Sequence, residues 1–421
     1  MINFIFTAIK IIFLLGFLVF IHEGGHFLVA KLCKVKVLEF AIGFGPTIWK
    51  KQGKETKYAL RLIPLGGFVN LEGEEERSDE EGSFSQASIP KRMAIIVAGA
   101  TVNIIFGLLV FFILMTSMGN NISLVVNDTI DGYAAMTSGI MQNDEIIKIN
   151  DKKVNVKSDI DKILSNSNGE ELLLTIKRNG EEQTVKLIPT KIENKSTGIY
   201  LKSSSDQAST KIVAVEKGSS SESAGIKAND RILKINGIDV SDGSQILSTI
   251  QKERNSENIL FTIQRGNEII EINVIPDTIY AYYLGVTFKI AENNLGNNMY
   301  YAIFKTRDFL FSIGDNLKQL FTGNIGVDQM MGPVGISEAV AQTQNFSEFI
   351  YLMALISLSL GITNLLPFPA LDGGKFVLLI LEAIRGKKLK EQTEINIQLI
   401  GFAILIMLAI YVTYNDILRI F

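Results

Sequence analysis

Cysteine and histidine are almost missing from this chain: 421 residues hold one cysteine and two histidines. A single cysteine, Cys33, excludes an intramolecular disulfide and any cysteine-rich zinc site. An excess of either charge is missing too. Lys and Arg number 41 against 44 Asp and Glu, a net charge of −3, which gives no reason to expect nucleic acid as a partner. The first apolar run has no basic stretch ahead of it and is too long for a cleaved signal peptide.

What the chain has instead is long apolar runs. Hydrophobic residues make up 47%. Four segments are long enough to span a bilayer: about Ile2 to Leu32, Met93 to Met118, Phe349 to Leu366 and Ile397 to Tyr414. The loop after the first carries Lys34, Lys36, Lys50, Lys51, Lys54, Lys57 and Arg61, then Lys91 and Arg92. The loop before the fourth carries Arg385, Lys387, Lys388 and Lys390. Such basic loops stay in the cytoplasm, so both termini and the long middle region are expected outside.

Both histidines fall inside the first span, in the run Ile21-His22-Glu23-Gly24-Gly25-His26. Helix positions i and i+4 share a face, so both imidazoles can reach one metal ion. Glu23 lies about 100° round the helix from His22, placed to hold a water without ligating the metal. Ionisable groups at membrane depth are costly and mark function by default. This is the H-E-x-x-H pattern of zinc hydrolases. Catalytic zinc usually takes three protein ligands, and no third histidine exists, so the third must be a carboxylate. Asp372, in Asn364-Leu365-Leu366-Pro367-Phe368-Pro369-Ala370-Leu371-Asp372-Gly373-Gly374, ends the third span at the depth expected for the histidines. Pro367 and Pro369 break the helix there.

The middle region repeats itself at an offset of about 86 residues. Ser138 to Asn150 aligns with Ala224 to Asn236, Leu174 to Arg178 with Phe261 to Arg265, and Gly198-Ile199 with Gly285-Val286. Each copy reads as short strands around Gly, Asn and Asp turns, with a helix such as Ser158 to Ser165 or Gly243 to Lys252. The pattern resembles PDZ domains of bacterial envelope proteases, which take up extended peptides by strand addition. Asn298 to Phe321 reads as an amphipathic helix. Tyr58 to Val69 reads as a hairpin-like β segment whose free edge would pair with an unwound substrate. The acidic stretch Glu72 to Glu81 reads as a solvated loop.

Together, H-E-G-G-H in the first span and N-x-x-P-x-P-x-L-D-G-G in the third, flanking tandem PDZ-like copies, resemble the site-2 protease family. More narrowly, they resemble the bacterial regulator-of-sigma intramembrane zinc proteases. Gly43-Phe44-Gly45-Pro46 and Pro64-Leu65-Gly66-Gly67-Phe68 match that family's membrane-associated β region. One departure is Ala98-Gly99-Ala100-Thr101-Val102-Asn103, which lacks the family's usual proline after glycine; it is expected to touch packing of the second span and not the chemistry.

The resemblance implies a polytopic α-helical membrane protein with about four transmembrane helices, a membrane-associated β region and two inserted α/β PDZ-like domains. The expected divisions are 1–120, 121–203, 204–290, 291–345 and 346–421. One Zn2+ per chain is expected on His22, His26 and Asp372, with Glu23 as the catalytic base. Asn364, Pro367, Leu62, Gly66 and Gly67 are candidate substrate contacts. The implied substrates are transmembrane segments, as in anti-sigma factors or remnant signal peptides, and the implied setting is a bacterial plasma membrane. The zinc would lie toward the cytoplasm and the PDZ-like pair outside, where peptides or parts of the substrate would meet it. Two readings compete. A zinc protease with its site in a soluble domain would need a Glu ligand on a later helix, which no pattern supplies. A non-catalytic, membrane-anchored PDZ scaffold would leave the histidine motif without a role.

Overall fold

The structure, a computed structural model, describes residues 2–74, 76–201, 207–253, 256–323, 326–327, 330–343 and 345–420. Its elements run α1 (Ile2–Leu32), β1 (Val37–Gln52), β2 (Lys57–Leu71), α2 (Ile89–Met118), β3 (Ile122–Thr129), α3 (Ala134–Ser138), β4 (Glu145–Ile149), β5 (Lys152–Lys153) and α4 (Lys157–Asn166). Then come β6 (Leu172–Arg178), β7 (Glu181–Leu187), β8 (Thr190–Ser196), β9 (Ile199–Leu201), β10 (Ile212–Val215), α5 (Ser220–Ser223), β11 (Arg231–Ile235), β12 (Ile238–Asp239) and α6 (Gly243–Lys252). The rest are β13 (Ile259–Arg265), β14 (Glu268–Val274), β15 (Asp277–Tyr283), β16 (Val286–Ile290), α7 (Leu295–Phe321), α8 (Pro333–Gln342), α9 (Phe346–Asn364), α10 (Asp372–Arg385) and α11 (Glu391–Ile420). Two compact units result. One joins Met1–Gly119, Asn293–Lys318 and Met330–Leu418; the other is mainly Asn120–Glu292, with Gln319–Gln329.

Within the first unit, four helices are long and apolar enough to cross a membrane: α1, α2, α9 and α11. The second is central. Half of its apolar window is buried, against 11% for α1 and α11. Lipid tails give apolar helices no reason to leave them for one another, so association rests on close packing at small residues. Gly25 of α1 lies against the Ala98 backbone of α2, Gly107 of α2 against Leu358 of α9, and Gly361 of α9 against Ala100 and Ile104. A side chain at any of these glycines would collide with its neighbour.

Strands β1 and β2 form a hairpin folded on itself. Residues 37–44 pair on one side with 63–71 and on the other with 57–60, while 47–52 pair with 57–61. The order is therefore 63–71, 37–44, 57–61, 47–52. Gly43 and Gly45 carry the first bend with φ of +86° and +84°, a region closed to most side chains. The segment holding Gly66 and Gly67 is thus an edge: among the described residues, no strand pairs with its outer side.

The second unit holds the two repeats, each with its own core: one around Val126, Ile146, Leu174 and Ile176, the other around Ile232, Ile235, Phe261 and Ile263. Their terminal strands cross over. β16, at the end of the second repeat, pairs with β3 of the first, and Leu284 is buried in the first core. β9, at the end of the first repeat, pairs with β10 of the second, and Ile199 packs on the second core.

The aspartate of the repeated motif has the same role twice. Asp144, 1% exposed, accepts from Arg178 at 2.7 and 2.8 Å and from the Met141 N–H. Asp230, also 1% exposed, does the same with Arg265 and Lys227. Burial works to raise Asp144, but Arg178 and the Met141 N–H outweigh it and hold the carboxyl below its usual range. A lowered carboxyl stabilises the fold above its unfolded pKa, and that stability fades as pH falls through the folded value. Hydrogen exchange in β4 and β6, corrected for intrinsic rates, should therefore stay constant from neutral pH to about 5 and quicken below about 4. In Asp144→Asn, protection should be weaker at neutral pH and this acid step absent.

Candidate metal centre

The histidine motif lies on one turn of α1, and Asp372 is the first residue of α10. A tight reversal brings them together. α9 ends at Asn364, Pro367 and Pro369 prevent its continuation, and Leu371 begins α10 in extended conformation. Gly373 and Gly374 sit so close to the carbonyls of Leu365, Leu366 and Phe368 that no side chain fits. Ala370 adopts φ +72° and donates its N–H to Gln398 of α11.

As a result, three acceptor atoms converge. His22 Nε2 and His26 Nε2 are 3.2 Å apart, and Asp372 Oδ2 is 3.3 and 3.4 Å from them. Zinc–ligand bonds of about 2.0–2.1 Å in tetrahedral geometry require ligand separations of about 3.3–3.4 Å. The observed triangle matches one face of such a tetrahedron. Two imidazole lone pairs and a carboxylate oxygen facing one point repel one another unless a cation sits between them. The residues present therefore fit a zinc ion.

The outer nitrogens are fixed as ligation needs. His26 Nδ1 lies 2.8 Å from the Ile95 carbonyl, so its N–H donates there and Nε2 keeps its lone pair. His22 Nδ1 lies 3.3 Å from the Asn103 amide. Asn103 is fully buried, and its Oδ1 has no other partner. Amide oxygen and nitrogen are interchangeable in placement, and turning Oδ1 toward the ring satisfies it and gives His22 the matching tautomer. Gly99 backs both imidazoles so closely that a methyl group would strike them. Gly99 and Asn103 thus lie against the histidine pair, while Ala100, where the family's proline would stand, is buried against Gly361 in the helix packing. The available signal was an asparagine in an apolar span.

Of the other candidates, Glu23 interacts electrostatically with His22, His26 and Asp372, and its side chain lies beside Gly67 of the β2 edge. Asn364 Nδ2 is 3.4 Å from His22 Nε2. Leu62 is 59% exposed at the bend of the hairpin, Gly66 has φ +106°, and Pro367 is exposed. The acidic stretch 72–81 is largely exposed among its described residues, as expected of a solvated loop, but two of its residues are tied to the C-terminal helices. Glu74 pairs with Lys375 at 2.8 Å, and Arg77 reaches Glu394 at 3.6 Å and the Leu389 carbonyl at 2.6 Å. These ties border a cavity of about 570 Å3 whose lining includes Ala370 and Lys375, either side of Asp372.

The Peptidase family M50 model matches residues 10–408 of this sequence. The chain belongs to peptidase family M50. It is 31% identical to zinc metalloprotease RasP of Oceanobacillus iheyensis, over 99% of each chain. It is 27% identical to the regulator of sigma E protease of Haemophilus influenzae, over 99% of this chain and 100% of that one. Among solved structures, the HtrA3 PDZ domain bound to a phage-derived ligand covers 22% of this chain and 93% of its own, at 21% identity and a TM-score of 0.19. The M50 chain is therefore a zinc-dependent metallopeptidase, a hydrolase, and a multi-pass membrane protein. Among the described residues, the group of His, Cys, Asp or Glu side chains able to hold a metal ion is His22, His26 and Asp372.

If Asn103 and Gly99 set the imidazoles, Asn103→Ala and Gly99→Ala should each weaken zinc binding by about 10–100-fold. Competition against a chelator measures this directly.

Proposed function

We propose that this M50 peptidase hydrolyses peptide bonds within the transmembrane segments of other membrane proteins, with His22, His26 and Asp372 holding one zinc ion. The observation that carries the reading is position: the three donor groups meet on helices α1 and α10, within the unit built from the four membrane helices. Bound there, zinc supplies Lewis acidity toward a peptide carbonyl and toward water. Glu23 takes the proton of the attacking water and passes it to the leaving amine. A helical substrate hides its carbonyls, so it must first unwind. The open edge at Gly66 and Gly67 pairs with the unwound strand, and that edge runs beside Glu23. Leu62, Asn364 and Pro367 border the same path, and Asn364 holds the substrate backbone.

The PDZ-like repeats, 121–203 and 204–290, act as a filter that turns away substrates whose outer domains have not been trimmed by an earlier protease. The relative named regulator of sigma E protease favours anti-sigma factors as one substrate class. The zinc lies toward the cytoplasm of a bacterial plasma membrane, and the repeats lie outside.

Elemental analysis of His22→Ala should find most of the zinc gone, because two protein ligands hold it far less well than three. Glu23→Gln should keep its zinc and lose cleavage of a transmembrane reporter; wild-type turnover in that variant would overturn the mechanism. For orientation, a membrane-impermeant thiol reagent applied from outside should label cysteines introduced within 125–285. It should miss those placed near Lys51 and Lys387. The opposite labelling pattern would move the zinc to the outer side.

A further inference from the structure

One part of the β1–β2 hairpin has no place in this hydrolysis: the ribbon made by 47–52 and 57–61. Residues 44–52 are all exposed, on both faces of the strand, and among the described residues 47–52 pair only with 57–61. Large apolar side chains stand out from the ribbon. Ile48 is 61% exposed, Trp49 53% and Leu60 40%. In water such an edge would be an aggregation site. The ribbon changes character along its length. Toward the turn at 53–56 stand Lys50, Lys51 and Lys54, all exposed. Side chains alternate along a strand, so Ile48 and Lys50 share one face, and Trp49 and Lys51 the other. Each face therefore runs from apolar to cationic toward the turn.

Contacts with α1 fix the depth of the two ends. The turn lies at the end of α1: Lys31 pairs with Glu55 at 2.8 Å, and Thr56 donates its hydroxyl to the Val37 carbonyl at 2.8 Å. The apolar end lies well within the span. Ile42 pairs with both Leu60 and Gly67, and Gly67 lies beside Val19 of α1. Val19 precedes Lys31 by twelve residues, a rise of about 18 Å along the helix. Because α1 is a membrane span, Leu60 sits at hydrocarbon depth and the lysines sit where the headgroups begin. The nearby acids are already engaged. Glu55 holds Lys31, and Glu39 is shared by Lys57 and Arg61 at 3.0 and 2.8 Å. Among the described residues, no acid pairs with Lys50, Lys51 or Lys54.

We propose that Lys50, Lys51 and Lys54 bind the phosphates of anionic phospholipids, with Ile48, Trp49 and Leu60 among the acyl chains. The two ends of the ribbon together name the occupant. A soluble acidic partner would leave Ile48 and Trp49 in water. Three ammonium groups without acids favour a lipid of net negative charge over a zwitterionic one, by about fivefold for each lysine near the surface. Lysine stems can cover apolar surface while their heads reach the phosphates, and tryptophan favours the same interface. Lipid held here steadies the outer strand of the sheet whose opposite edge carries Gly66 and Gly67.

Trp49 is the chain's one tryptophan, so its fluorescence reports this place alone. The full chain is reconstituted in vesicles of equal parts phosphatidylcholine and phosphatidylglycerol, with bromine on the acyl chains of one lipid or of the other. Brominated phosphatidylglycerol should quench Trp49 about twice as strongly as brominated phosphatidylcholine, or more. The difference should shrink at high salt, which screens the lysines. Lys50→Gln, Lys51→Gln and Lys54→Gln combined should abolish it, while both lipids still quench and zinc content stays unchanged. Each single variant should lose part of the preference, which carries the test if the triple variant does not keep its zinc. Equal quenching by the two lipids in the wild type would overturn the proposal and leave the lysines as guards against edge pairing with another copy. Absence of quenching by either lipid would overturn it too, since protein or water would then cover the ribbon. A preference that survives both high salt and the lysine replacements would overturn the assignment to these residues.

Discussion

Three metal-seeking groups can share an apolar bundle only if they converge, and the architecture of the membrane unit follows from that requirement. His22 and His26 are separated from Asp372 by almost the whole chain, yet their donor atoms lie 3.2–3.4 Å apart. Each would be costly alone at membrane depth. The α1–α2 contact at Gly25 brings the histidines against Gly99, and the α2–α9 contacts at Gly107 and Gly361 bring the third span to the same helix. The reversal after Asn364 then turns Asp372 back toward the imidazoles. Small residues here are structural necessities, because any added side chain would separate helices whose three donor atoms lie 3.2–3.4 Å apart.

Around that centre, several polar groups are matched to a partner across helices. Ile95 and Asn103 of α2 serve the outer nitrogens of the two histidines. Arg92 pairs with Glu382, both nearly buried, tying α2 to α10, and Glu74 ties the segment after the hairpin to Lys375 one turn beyond Asp372. Breaking a buried pair such as Arg92–Glu382 typically costs about 3–5 kcal/mol, since the remaining charge is left without a partner. α10 is thus held from two sides, which keeps its first residue in place.

The repeats solve a different problem. Each is a small domain completed by the last strand of the other copy. Leu284 fills the first core and Ile199 packs on the second. The exchange ties the two copies to each other. The buried aspartate–arginine pair at the same place in each copy explains why Asp and Arg recur in the repeat: the carboxylate closes the turn that precedes its strand and anchors the neighbouring strand through the guanidinium.

Much of this was legible without coordinates. Helix periodicity put the two histidines on one face, hydropathy marked four spans, and the motif in the third span named the carboxylate that the fold brings to them. The helices α4 and α6 and the repeat pattern could also be read, because their signals are local: caps, turn glycines and alternation. What could not be read depends on contacts distant in sequence. The place of Asn103 and Gly99 behind the imidazoles, the strand order of the doubled hairpin, the ties of Glu74 and Arg77, and the exchange of β9 and β16 each involve partners that no local pattern names. So does the C-terminal end of α8, where Thr343 meets a lysine 333 residues away. The sequence determined which residues could do chemistry, because residue type and spacing decide that. Tertiary structure alone decided which of them meet, because meeting depends on how closely helices pack, and a side chain at Gly25 or Gly99 would collide with the facing helix.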